Sequence, residues 1–150
     1  MKKYAIITMD VEDWYHTYFP EANVDRSSSL LDGLDVALDI MKKDDIHGSF
    51  FVVGEIADKL ADKLREMDKE GHDIAVHNCQ HLRPVTMTPD EFRSQLLEAK
   101  RKIEGILGHQ VHGYRAPSFG HHLDVIYPKI WRRNNRESGS YIYHIAYQAP

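Results

Sequence analysis

Apolar residues along the chain fall into two kinds of run: short unbroken stretches of strand length, and longer stretches in which they recur every three or four residues. Tyr4-Ala5-Ile6-Ile7-Thr8-Met9 is of the first kind, and its β-branched content predicts a strand buried on both faces. Leu30, Leu31, Leu34, Ala37, Leu38 and Met41 follow at helical spacing. Ser27-Ser28-Ser29 offers N-caps for that helix, and Lys42-Lys43 sits where the macrodipole favours positive charge. His47 to Gly54 predicts a second buried strand, and Ile56, Leu60, Leu64 and Met67 a second amphipathic helix closed by Gly71. Asp73 to Val76 reads as a third strand. Thr88-Pro89-Asp90-Glu91 is a helix start, with Thr as cap, Pro at the first helical position and Glu placed to close a capping box. Its apolar stripe, Phe92, Leu96, Ala99, Ile103, Ile106 and Leu107, runs to Gly108. Val111-His112-Gly113-Tyr114 predicts a fourth short strand. Beyond His121 the period is lost: Pro128 interrupts any helix, 132–139 is polar, and Tyr141 to Tyr147 alone has strand character.

Four strand-helix units in succession predict an α/β fold with parallel strands and right-handed crossovers, either an open doubly wound sheet or part of a barrel. No internal repeat or low-complexity linker suggests a second domain. With 150 residues, 42% hydrophobic and 28% charged, the chain has the make-up of a globular domain, which excludes disorder and collagen-like repeats. A net charge of −4, without a basic run interleaved with aromatics, argues against nucleic acid. No segment reaches the roughly 18 apolar residues of a membrane span. Met1-Lys2-Lys3 and the run behind it begin like a signal peptide, but the apolar stretch stops at Asp10 with no small-residue cleavage site. With a single cysteine there is no internal disulfide, and the expected location is cytoplasmic.

The charged residues then gain meaning from their places. In a parallel fold all strand C-termini face one side, where such folds gather their chemistry. Asp10-Val11-Glu12-Asp13 follows the first strand, His77 and His81 follow the third, and Arg115 follows the fourth. Three carboxylates within four residues are costly together unless a cation or an arginine compensates them. His77 and His81 would share a face if the backbone turned helical after Val76. Among ten His in 150 residues, about two-thirds of one such pair arises by chance, so the convergence of clusters carries the argument. Two His and one carboxylate with an open position form a catalytic ligand set for zinc or a similar divalent cation, and a second carboxylate paired with Arg115 could act as general base. The implied class is metal-assisted hydrolysis. The aromatic stretch Trp14 to Pro20 follows no regular period and suggests a lid or sugar-stacking platform, Trp14 and Tyr15 above all. Cys79 reads as a passive thiol, and His72, His109, His112, His121 and His122 as surface or turn residues.

Thr8-Met9-Asp10-Val11-Glu12-Asp13-Trp14, Gly48 to Gly54, Gly71 to His81, Thr88 to Phe92, and Tyr114-Arg115-Ala116-Pro117-Ser118-Phe119 occur jointly and in order. With these motifs the sequence resembles the polysaccharide deacetylase (NodB homology) family. The resemblance implies part of an irregular (β/α) barrel, removal of acetyl groups from N-acetylated saccharides, and a divalent metal held by Asp, His and His. It makes Asp10 the catalytic base, His77 and His81 metal ligands, and Arg115 the partner of the base beside Pro117 in a loop lining the groove. The third ligand is Glu12 or Asp13. Strand alternation puts Asp10 and Glu12 on one face, while the family's usual choice of aspartate favours Asp13. Residues 1–120 correspond to the N-terminal part of the catalytic domain, and 121–150 to a divergent or truncated tail. The family's later aspartate motif, and the late histidine motif that supplies the general acid, have no recognisable counterpart; His144 lacks the usual surroundings. About half a barrel would leave an open edge for a partner chain or a second copy to cover. The rival readings are a metal-binding or saccharide-binding fragment without turnover, a hydrolase of non-sugar amides, and, weakest, a nucleotide binder, whose phosphates Asp10 to Asp13 would repel.

Overall fold

The computed structural model describes residues 5–18, 25–27, 29 and 31–119. Three parallel strands, β1 (Thr8–Val11), β2 (Ser49–Val52) and β3 (Asp73–Val76), form a sheet in sequence order. Thr8 lies opposite Ser49, and Ser49 opposite Asp73, so the strand ends are level and their C-termini open on one rim. The predicted fourth strand is reduced to one parallel bridge between Val76 and Tyr114, closed by Val76 N–H to Gly113 O and Arg115 N–H to Val76 O, each 3.0 Å. The chain still takes its place beside β3.

Five helices are described: α1 (Trp14–Tyr18), α2 (Asp32–Lys43), α3 (Gly54–Ala57), α4 (Ala61–Lys69) and α5 (Pro89–Leu107). In α5 the predicted caps are both present: Thr88 Oγ1 accepts from Glu91 N–H, the Glu91 side chain accepts from Thr88 N–H, and Gly108 closes the helix at a left-handed φ of 78°. Its buried stripe, Phe92, Leu96, Ala99 and Ile103, packs against α3, α4 and β3. Leu34, Leu38 and Met41 of α2 and Leu64 and Met67 of α4 complete a core centred on β2, whose Phe50, Phe51 and Val52 are fully buried. That two-sided burial explains the unbroken apolar run.

Several expectations are corrected. The first strand is shifted, so Asp10 lies within it; Ile6 and Ile7, expected to be buried, are 72% and 41% exposed, because β1 stands at the edge of the described sheet. The serine caps lie too early: α2 begins after Leu31 without a side-chain cap, and Ser29 Oγ accepts from Leu31 N–H instead. The single helix expected from Ile56 to Met67 is divided by a turn at 58–60 into α3 and α4. The aperiodic aromatic stretch starts as α1, too short for a period to show. The expected strand at 141–147 lies outside the described residues.

Candidate metal centre

Backbone bonds at the rim of the sheet bring three segments together. Val53 N–H donates to Val11 O (3.1 Å), His77 N–H to Val52 O (2.9 Å), Gly54 N–H to Asn78 O (2.9 Å) and Glu55 N–H to Cys79 O (2.9 Å). The loop after β3 is thus clipped onto the β2–α3 turn. The contact is close enough to require glycine: a Cβ on Gly54 would lie 2.9 Å from the Ala99 backbone and 3.3 Å from that of Cys79. The helical turn after Val76 that would have put His77 and His81 on one face is absent. His77 to Arg83 follows an irregular path, with Asn78 and His81 at φ of 65° and 58°. Asn and His are among the non-glycine residues that enter the left-handed region most readily, and Asn78 Nδ2 donates to Leu82 O at 3.0 Å. This path, not a helix, sets the two rings 5.0 Å apart.

Glu12 reaches both of them. Its Oε2 lies 2.6 Å from His81 Nε2 and 3.6 Å from His77 Nε2, and one donor atom from each of the three residues falls within 4.8 Å of the others. The carboxylate favoured from the sequence, Asp13, is not in this group. It is buried and its Oδ1 accepts from Trp14 N–H at 2.9 Å. Alternation accounts for the outcome: Asp10 and Glu12 share a face, and Asp13 turns back to the start of α1. Asp10 Oδ2 lies 3.7 Å from His77 Nε2, while Asp10 Oδ1 accepts from Arg115 Nη1 at 2.5 Å. Arg115 is further fixed by donating to Thr8 Oγ1 (2.7 Å) and by lying 3.9 Å over the Phe51 ring.

The donor set fits a divalent cation. His77 Nδ1 lies 2.9 Å from the carbonyl oxygen of Arg115, which only accepts, so Nδ1 carries the proton and the Nε2 lone pair points at two carboxylates. Burial holds the His77 pKa below the usual value, opposed chiefly by Asp10. A neutral imidazole fixed through its far nitrogen is how protein metal sites orient histidine. Bonds of about 2.0–2.2 Å place donor atoms roughly 3–4 Å apart; the 3.6 Å between Glu12 Oε2 and His77 Nε2 matches that spacing, and the 2.6 Å to His81 Nε2 is shorter.

The predicted substrate contacts fare unequally. Tyr15 is 3% exposed with the Arg26 guanidinium 4.9 Å from its ring centre, and Pro117 is buried; Trp14, edge-on to Tyr15, is half-buried. Cys79 is buried and its thiol pushed up to about 12, chiefly by burial and then by Glu98, which suits an inert thiol. His72, expected as a surface or turn residue, directly follows the turn at Gly71 and is buried. His109 is exposed and pairs with Asp68 at 3.0 Å, and His112 is exposed. His121, His122 and His144 lie outside the described residues. His16 escaped the sequence reading. It is 1% exposed and its ring centre lies 6.3 Å from that of His81. Asp13-x-x-His16 at a helix start is the one signal that could have found it.

The sequence profile described as polysaccharide deacetylase matches residues 25–128. A Mycobacterium smegmatis crystal structure assigned as a polysaccharide deacetylase superposes with a TM-score of 0.72 at 28% identity, covering 86% of this chain and 47% of that one. A peptidoglycan-N-acetylmuramic acid deacetylase of Bacillus subtilis is 26% identical over 129 residues, 75% of this chain and 49% of the relative. A CE4 family pseudoenzyme from Bacillus anthracis matches in fold, with a TM-score of 0.64 at 23% identity over 85% of this chain and 40% of that one. The chain spans about half the length of these proteins. The α/β arrangement with its parallel sheet is therefore part of the (β/α) barrel of CE4 deacetylases.

Proposed function

Since this chain belongs to the polysaccharide deacetylase family, we propose that it carries the attacking half of a metal-dependent site that hydrolyses the N-acetyl amide of a saccharide. The observation that supports this most directly is the Glu12–His77–His81 group with the Arg115-clamped Asp10 beside it. In this reading Glu12, His77 and His81 hold one divalent cation, zinc being the natural choice for two imidazoles and a carboxylate. When bound, the cation supplies Lewis-acid chemistry, polarising the amide carbonyl and acidifying water. Asp10 accepts the proton of the attacking water at Oδ2, the oxygen turned toward His77 rather than to Arg115. Arg115, itself anchored on Thr8 Oγ1, holds that carboxylate in direction. Trp14, half-buried at the start of α1 just after Glu12 and Asp13, offers a stacking face for a sugar ring. Protonation of the leaving amine needs a further acid, for which the sequence carries no recognisable motif.

A second reading, a domain that binds metal or saccharide without turnover, is supported by the pseudoenzyme among the solved structures that share this fold. Acetate release from an N-acetylglucosamine oligomer by the zinc-loaded protein separates the two. Release that falls about 10²- to 10⁴-fold in Asp10→Asn, with one zinc per chain retained, is the expected result. A protein that binds zinc but releases no acetate from amino-sugar oligomers is the binder instead.

A further inference from the structure

One residue touches both of the loops that carry the candidate ligands. Glu55, in the first turn of α3, holds the histidine loop through its backbone, donating its N–H to Cys79 O at 2.9 Å. Through its side chain it holds the carboxylate loop: Glu55 Oε1 lies 2.9 Å from His16 Nε2 and also accepts from Arg26 Nη1 at 3.0 Å. His16 in turn closes the turn that follows Glu12. Its Nδ1 accepts from Asp13 N–H at 2.8 Å, and its own N–H donates to Asp13 O at 3.0 Å. This is the reciprocal half of a capping box with imidazole in the place usually taken by a glutamate.

The bonds fix the state of the ring. Nδ1 accepts, so it carries no proton; Nε2 therefore carries the proton of the neutral imidazole and donates it to Glu55. Burial, which holds the His16 pKa below its usual value, agrees with that neutral form. With both nitrogens engaged and 1% of the residue exposed, His16 has no lone pair for a cation and no proton for a substrate, although its ring stands 6.3 Å from that of His81. Its chemistry is spent on geometry.

We propose that the Glu55–His16 pair is a positioning device that sets Glu12 opposite His77 and His81, making cation affinity depend on a hydrogen bond between residues that never touch the cation. The inference rests on the metal reading above. Outer partners of this sort are worth about 10- to 100-fold in metal affinity.

Zinc affinity, measured by competition with a chromophoric chelator alongside the melting temperature of the zinc-free protein, tests it. Glu55→Leu removes the acceptor and is expected to weaken zinc binding about 10- to 100-fold. Glu55→Gln keeps an acceptor oxygen and is expected to stay within about fivefold of wild type, the worth of the exposed Arg26 pair it gives up. Wild-type affinity in Glu55→Leu, or equal loss in both variants, overturns the proposal, the second by showing that charge rather than the directed acceptor matters. Ring ¹⁵N shifts of His16 in the unaltered protein add a check independent of any variant's folding: Nδ1 unprotonated and Nε2 protonated, with and without zinc. A protonated Nδ1, or a shift that marks His16 as a ligand, overturns the pair's role. A wild-type chain that binds no zinc removes the metal reading itself and this inference with it, a result distinct from the others.

Discussion

The sheet carries a histidine pair at each end. At the C-terminal rim His77 and His81 stand with ring centres 5.0 Å apart, and at the N-terminal end His47 and His72 stand 5.9 Å apart. Spacing alone would grade them alike. The difference lies in what holds the buried member of each. His77 Nδ1 donates to the Arg115 carbonyl, leaving its Nε2 lone pair turned toward Glu12 and Asp10. His72 Nδ1 accepts from Gly48 N–H at 3.2 Å, so its remaining nitrogen carries the proton. Acids are also near the second pair, for Asp45 and Glu70 line the same cavity, but Glu70 is engaged by Lys42 at 2.5 Å. Opposite tautomers, imposed by a carbonyl in one place and an N–H in the other, make one pair a candidate cation site and the other a structural one.

The sharpest way to break this comparison is to remove one histidine from each pair. His77→Ala is expected to take zinc stoichiometry from one per chain to none, whereas His72→Gln leaves it at one, both read by calorimetric titration. Zinc lost equally in both would mean that the tautomer argument fails. A smaller effect separates the two carboxylates that the sequence left open. Glu12→Gln is expected to weaken zinc binding by at least about 100-fold, since it removes a charged ligand. Asp13→Asn keeps an acceptor for Trp14 N–H and is expected to change affinity by less than about fivefold. Reversed values would make Asp13 the ligand and require the turn at 12–14 to rearrange around the cation.

How far each pair was legible follows from whether its signals are local. The order of strands and helices, the Thr88–Glu91 capping box and the Gly108 stop were readable because each depends on residues within a few positions of one another. The convergence of Asp10, Glu12, His77, His81 and Arg115 was readable because parallel topology dictates which strand ends meet. The path that joins His77 to His81 was not. A separation of four mimics a helical turn, while the actual loop is set by Gly54 and Glu55 N–H groups some 25 residues earlier in the chain. The burial of His72 was equally hidden, since it follows from the Gly48 backbone. That Glu12 rather than Asp13 faces the two histidines was within reach of strand alternation, but β1 runs to Val11, further than the hydrophobic run suggested.

The smallest effect concerns acid. Burial, then the neighbouring His47, holds the His72 pKa below 6.5, with Glu70 opposing. The neutral ring that accepts from Gly48 is thus the form the fold prefers. For a histidine whose folded pKa lies below its unfolded value, the unfolded chain binds the proton first. The contribution to stability is then complete above about pH 6.5 and is lost as pH falls from there toward the folded pKa. His72→Gln, which keeps an acceptor for Gly48 N–H without titrating, is expected to flatten the decline of chemical-denaturation midpoint in that window while costing some packing against Phe50, whose ring meets His72 edge-on at 5.1 Å. The zinc-free protein is the one to use, because metal binding by histidine is itself pH-dependent. An unchanged slope between wild type and His72→Gln would mean that His72 titrates as it does in the unfolded chain, and that the contrast between the two pairs rests on the carboxylates rather than on the tautomers.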